Sequence, residues 1–273
     1  MPNDVSLATV ARLHDLTTRL HVFIYFCPEA AEEYEKIGLE GWSGYFASRT
    51  AAMGPLSTEM VIATFYNFAP RRVTRAMEGV WETASPAQAQ AARWEAASRV
   101  LEAKVRPVVS AAEVAEATKT LEEAVAGLDW SGRPMAAGNH AILADCPDND
   151  LVRLWQLVTI LREWRGDTHI GLLIAEPLSG VECSVVSYAR AGGRGIGKGS
   201  RSWPDDEWNA TLASLQERGL VAAEDALTDK GTEWRDGIEQ RTNELAAPIW
   251  AGHDAATVNR LGDLLEKMAD AVR

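Results

Sequence analysis

Four polar residues recur along one stretch near the N-terminus: His14, Thr18, His21 and Tyr25, at successive spacings of four, three and four. On a helix that spacing makes a polar stripe beside the apolar face of Leu13, Leu16, Leu20, Phe23 and Ile24. His21 and Tyr25 stand one turn apart and can work as an acid–base pair. The plainer alternative is an interior histidine satisfied by a tyrosine. His14 and His21 are two turns apart, about 10 Å along the axis, too far to share one metal ion. A second group, Arg165, Asp167 and His169, falls within five residues. Asp167 suits the N-cap of a helix starting at 168, whose positive end would keep His169 neutral and competent as a general base. Arg165 either orients an anionic group or pairs with Glu163 or Asp167.

The run Gly192-Gly193-Arg194-Gly195-Ile196-Gly197-Lys198-Gly199 mimics a phosphate-binding loop, but Gly199 stands where a Ser or Thr should ligate magnesium. It also follows a helix rather than a strand, so a nucleotide-hydrolysing site is excluded. Arg190, Arg194, Lys198 and Arg201 around it make either a basic connector or an anion clamp for a carboxylate or phosphate. Ten tryptophans are rich for this length. Most suit a core, and some, Trp164 among them, suit a flat apolar ligand. There is no acyl-transfer elbow, no zinc-ligand spacing and no dinucleotide fingerprint, so any chemistry is expected to need neither cofactor nor metal.

The elements that must position these groups read as helical almost throughout. Helices are expected at about 7–26, from Pro28 to Gly38, 44–53, 57–68, from Pro70 through Trp81, 86–105 and 111–126. Ser110 and Glu113 form a capping box at the start of the last of these. Residues 127–150 break the pattern with Gly127, Gly132, Pro134, Gly138 and Pro147. A domain boundary is therefore expected there, with 1–130 and 151–273 as domains and 131–150 as the linker. Helices resume at 151–165, closed by Gly166, then 168–176. Ser179 and Glu182 box the next, to Arg190. Ser202 is expected to cap 203–218. Leu220-Val221 and Ala226-Leu227-Thr228 bracket an acidic turn and read as a small β-wing. Long helices at 229–247 and 255–272 end the chain.

The order helix, helix, helix, wing, long helices is that of a winged-helix domain. Leu215-Gln216-Glu217-Arg218-Gly219-Leu220-Val221 and Leu227-Thr228-Asp229-Lys230-Gly231 resemble the recognition helix, wing and following helix of MarR-type regulators over residues 151–272. The whole chain resembles the actinobacterial SalK-like helix-turn-helix family. Four segments carry that likeness: Tyr45-Phe46-Ala47-Ser48-Arg49, Phe65-Tyr66-Asn67-Phe68, Gly132-Arg133-Pro134 and Arg162-Glu163-Trp164-Arg165-Gly166-Asp167-Thr168-His169. The resemblance implies a mainly α fold of tandem winged-helix domains, the first a degenerate copy. It also allows a homodimer, and it implies no particular activity. Because the likeness concentrates at Tyr66-Asn67 and around His169, these join His21, Tyr25, Asp167, Arg165, Trp164, Arg194 and Lys198 as candidate site residues.

Charge then weighs on the partner. The chain carries a formal net charge of −12, with −7 before residue 151 and −5 after it, so no basic arm hides in either half. A broadly basic nucleic-acid binder is excluded, and an anionic membrane surface is disfavoured. The expected recognition helix opens on Asp205, Asp206 and Glu207. Those acids suit a helix N-terminus but face the end that enters the major groove in this motif class. Only Arg71, Arg72 and Arg75 favour DNA, or else they form a solvated face. Three scattered cysteines, Cys27, Cys146 and Cys183, read as reduced thiols. The N-terminus lacks the charged and apolar regions of a signal peptide, and no stretch is long and apolar enough for a membrane span, so a cytoplasmic protein is expected. Together these observations point to a small-molecule-binding protein on a winged-helix scaffold that has lost DNA binding. Its expected chemistry is cofactor-independent acid–base catalysis in a biosynthetic pathway: dehydration, cyclisation or isomerisation. The other readings are a ligand-responsive regulator of MarR type, contacting DNA through Arg71, Arg72 and Arg75, and a non-catalytic binding protein.

Overall fold

The computed structural model describes residues 5–192 and 198–273, without the side chain of Lys198. Helices dominate: α1 (Leu7–Val22), α2 (Pro28–Glu35), α3 (Trp42–Thr50), α4 (Thr58–Thr64), α5 (Pro70–Met77), α6 (Val80–Thr83), α7 (Pro86–Val100), α8 (Ala111–Ala126), α9 (Pro134–Ala141), α10 (Asp150–Ala175), α11 (Gly180–Arg190), α12 (Lys198–Arg201), α13 (Asp205–Glu217), α14 (Asp229–Ala246) and α15 (Ala255–Ala271). The chain divides into two compact units. Unit 1 holds Met1–Pro55, Gly79–Thr168 and Asn243–Arg273, and unit 2 holds Leu56–Glu78 and His169–Thr242. This differs from the boundary expected in 131–150. That segment carries α9 and a 3-10 turn, Leu143–Asp145, and lies inside unit 1.

Unit 1 is built on α10. From Leu151 to Arg165 this helix is buried on every face except at Arg153 and Arg162, the mark of a central helix rather than an amphipathic surface one. Trp155 of α10 meets α1 and α7, and Gln156 takes the Trp94 indole N–H while donating to the Asn139 carbonyl of α9. Around it α1 packs along α15, α2 and α3 pack on α7, and α8 packs on α15. The seam between α1 and α15 is pinned at the rim by Arg12, which bonds Asp263 and Glu266.

Unit 2 packs α11 against α13 over Val185, Val186, Ala189, Trp208, Leu215, Leu220 and Val221. Gly180 begins α11 because nothing larger fits: a Cβ there would lie 2.1 Å from the Tyr66 carbonyl oxygen. The expected β-wing reduces to a turn. Val221 and Leu227 form an isolated antiparallel bridge, Ala222 N–H donates to the Ala226 carbonyl at 2.7 Å, and no strand forms among the described residues. The intervening Ala222-Ala223-Glu224-Asp225 lacks the β-branched residues that sustain a strand.

Local chemistry explains the other boundaries. The boxes Ser110/Glu113 and Ser179/Glu182 are both formed, and Ser85/Gln88 makes a third at the start of α7. The helix expected from Pro70 through Trp81 breaks at Glu78, which is extended, and at Gly79, whose φ of 66° is left-handed. The first helix ends at Val22 and tightens into a 3-10 turn, Phe23–Tyr25. Ser202 does not cap α13. Its φ is 58°, and Pro204 stands at the N-cap instead. Gly166 and Asp167 end no helix either, because α10 runs through them without interruption.

Candidate functional site

The groups that converge in unit 1 come from α1 and the 3-10 turn after it, α3, α7 and α10. His21 is wholly buried and stacks on Trp155 with ring centroids 5.4 Å apart and planes 5° from parallel. Its Nδ1 lies 2.9 Å from Thr159 Oγ1 and its Nε2 lies 2.6 Å from the Tyr25 hydroxyl. One turn further along α10, Glu163 accepts from Arg162 Nη1 at 2.6 Å and from Arg49 Nη2 at 3.0 Å, both at the same oxygen, Oε1. Arg49 also donates to the Tyr45 hydroxyl at 2.9 Å and lies 5.0 Å from the centre of the Tyr25 ring. Arg93 is almost fully buried, donates to the Ser48 carbonyl at 3.1 Å and covers the face of Trp155.

The electrostatics of this cluster are lopsided. Burial pushes His21 well below its usual 6.5, and Arg162, Arg93 and Arg49 push it further, so the imidazole is neutral. Burial raises the Tyr25 phenol, which therefore keeps its proton. Burial opposes the Glu163 carboxylate, yet Arg162, Arg49 and Arg93 hold it down to about 2. Two guanidiniums, those of Arg49 and Arg162, thus meet on one buried carboxylate, with Arg93 close by and a neutral histidine beside them. The Trp155 indole N–H has no acceptor among the described residues.

The other expected residues fall in several places. Asp167 is not an N-cap for α10; its Oδ2 instead accepts from Ala136 N–H at 3.0 Å, capping α9 from across the unit. Burial raises this carboxyl to about 7, with Glu163 adding to the effect. Beside it Arg133 donates to Thr168 Oγ1 and lies 3.9 Å over the Trp164 ring, while the Trp164 indole donates to the Asp129 carbonyl. Arg165 is buried and gives two hydrogen bonds to Asn243 Oδ1. Three of the segments that carried the family likeness therefore meet in unit 1. The structure brings together His21 and Tyr25, with Asp167, Trp164 and Arg165 further along α10.

Tyr66, Asn67 and His169 belong to unit 2. The Tyr66 hydroxyl donates to the Leu178 carbonyl, and the Asn67 carbonyl accepts from Ser184 and from the Trp203 indole. His169 repeats the mounting of His21, with Nδ1 2.9 Å from Thr242 Oγ1 and Nε2 3.9 Å from Glu239. Arg194 and the Lys198 side chain lie outside the described residues. Sequence reasoning missed Arg49, Arg93, Thr159 and Arg162 as site residues, and it weighed Glu163 only as a partner for Arg165. The one available signal was that Arg49, Arg162 and Glu163 stand inside segments carrying the family likeness.

On α13, the helix expected from the sequence to be the recognition helix, Asp205, Asp206, Glu207 and Glu217 are exposed. Arg218, just past its end, is engaged with Glu182 at 2.8 Å. On α5, Arg71 Nε donates to the Ser202 carbonyl and Arg72 to the Gly199 carbonyl, so these two arginines hold the α12 segment.

Among the described residues no single helix is long and apolar enough to cross a membrane. A family model described as a helix-turn-helix family matches residues 10–273, nearly the whole chain, and the chain belongs to that family. No curated protein and no solved structure matches it.

Proposed function

We propose that this helix-turn-helix family member binds a small organic anion at the unit 1 cluster and has lost base reading by α13. The observation that carries the proposal is the ion pairing of Arg49 and Arg162 with the buried Glu163, with Arg93 close by, beside a neutral His21. Guanidiniums gathered in this way suit a carboxylate or phosphate ester, and the neutral imidazole stands beside them as a base. Tyr25, Tyr45, Arg49 and Arg162 are partly exposed, which gives a ligand a side from which to approach. Acid–base chemistry with His21 as base, Tyr25 as its partner and the arginines orienting the anion fits a dehydration, cyclisation or isomerisation. The acids on the exposed side of α13 support the loss of DNA reading, since phosphates and base edges call for Arg, Lys, Asn or Gln there.

The second reading is a ligand-responsive regulator on a winged-helix scaffold. The exposure of Arg71 and Arg75 on α5 favours it, because both can meet phosphates. Two measurements on the full chain decide. Thermal-shift titration with carboxylic acids and phosphate esters should give saturable stabilisation that Arg162→Gln removes. Electrophoretic shifts at low salt should show no DNA complex. Salt-sensitive DNA binding that Arg71→Gln and Arg75→Gln abolish, with no acid stabilising the protein, would establish the regulator instead.

A further inference from the structure

We propose that Thr159 sets the direction of a hydrogen-bond chain through His21 and Tyr25. The chain ends on a phenol oxygen that can only accept, so the site selects an organic anion bearing a hydroxyl or N–H donor beside its charge. The ligand class rests on the anion-site reading above; the direction of the chain does not.

Proton accounting carries the argument. Thr159 has one hydroxyl proton, and it goes to the Trp155 carbonyl at 2.9 Å, one turn back along α10. Its oxygen then accepts at 2.9 Å from His21 Nδ1, which must carry the ring proton. The imidazole is neutral, so Nε2 keeps its lone pair and accepts the Tyr25 hydroxyl proton at 2.6 Å. With that proton committed, the Tyr25 oxygen has only lone pairs to offer outward. The opposite tautomer fails the same count. It would point Nε2–H at Tyr25 and leave the phenol proton with no acceptor among the described residues. It would also divide the Thr159 proton between Trp155 and Nδ1.

The consequence for a ligand is geometric. Its anionic group is drawn to the Arg49 and Arg162 side of the cluster, and the atom that meets Tyr25 must donate. A hydroxy acid satisfies both demands, whereas the same acid without its hydroxyl brings no donor to the outward lone pairs of the phenol oxygen. Thr159 touches no ligand in this arrangement and is a positioning residue.

The test has two arms, both on the full chain. Nitrogen NMR of histidine-labelled protein at pH 7, with His21 assigned by difference against His21→Gln, should show the ring proton on Nδ1. Thr159→Val, which keeps the shape and removes the hydroxyl, should move the proton to Nε2, and Thr159→Ser should return it. A wild-type proton on Nε2, or no change of tautomer in Thr159→Val, overturns the proposal. If the valine variant does not fold, the wild-type spectrum still decides. In the second arm calorimetry compares mandelate with phenylacetate, which differ by one hydroxyl. Mandelate should bind about tenfold more tightly, the scale of one well-placed hydrogen bond, and Tyr25→Phe should erase the difference. Equal affinities overturn the ligand class and leave the anion site standing. Binding of neither acid overturns both.

Discussion

Glu163→Gln is the most direct perturbation of the cluster, because it removes the carboxylate on which Arg49 and Arg162 meet and changes little in shape. The magnitude follows from the carboxyl being held at about 2 against an ordinary 4.5. At about 1.4 kcal/mol per pH unit this amounts to about 3 kcal/mol, in line with the roughly 3–5 kcal/mol lost when one partner of a buried ion pair is removed. A depressed carboxyl contributes its stability fully above 4.5 and loses it as pH falls towards 2. The substitution should therefore cost about 3 kcal/mol at pH 7 and only about 1 kcal/mol at pH 3. Urea denaturation of both proteins at the two pH values reads this difference. Because the variant takes away the carboxylate that Arg49 and Arg162 share, sulfate should stabilise it more than the wild type. A loss below about 1 kcal/mol at pH 7, or an equal loss at pH 3, would refute the view that this carboxylate is the counter-charge of the site.

Further outcomes follow from single residues. Asp167 titrates near 7 in the fold against an ordinary 3.8, so the folded state holds its proton more tightly, and stability should rise as pH falls from about 7 towards 4. Asp167→Asn should flatten that slope in denaturation curves while still capping α9 through its amide oxygen. Gly180→Ala drives a methyl group into the Tyr66 carbonyl and should destabilise unit 2 by roughly 1–3 kcal/mol, seen as earlier proteolysis within 169–242. Burial pushes the Cys146 and Cys183 thiols up to about 11 and about 12. Both should therefore react slowly with a disulfide reagent at pH 8 until the chain is unfolded.

Much of the secondary structure was legible because its causes are local. Ser110 with Glu113, and Ser179 with Glu182, satisfy orphaned amides within four residues, and both boxes formed where the spelling placed them. His21 and Tyr25 paired because one helical turn links them. Where a non-local partner mattered, local reading went astray. Asp167 is spelled like an N-cap after Gly166, yet the burial of α10 as a central helix carries the backbone through both, and the carboxylate caps α9 instead. The turn at 221–227 is spelled like a wing, but a single bridge is all that its alanines and acids sustain.

The amino-acid sequence alone determined a mainly helical chain with acids crowding the start of α13, since periodicity, caps and charge are properties of neighbouring residues. Only the tertiary structure decided that Arg49 and Arg162 meet on Glu163 beside a neutral histidine, with Arg93 close by. Those residues are up to 114 positions apart, and nothing in their local spelling encodes the meeting. Packing around α10 creates it, and the low dielectric of that packing turns ordinary side chains into a charged site.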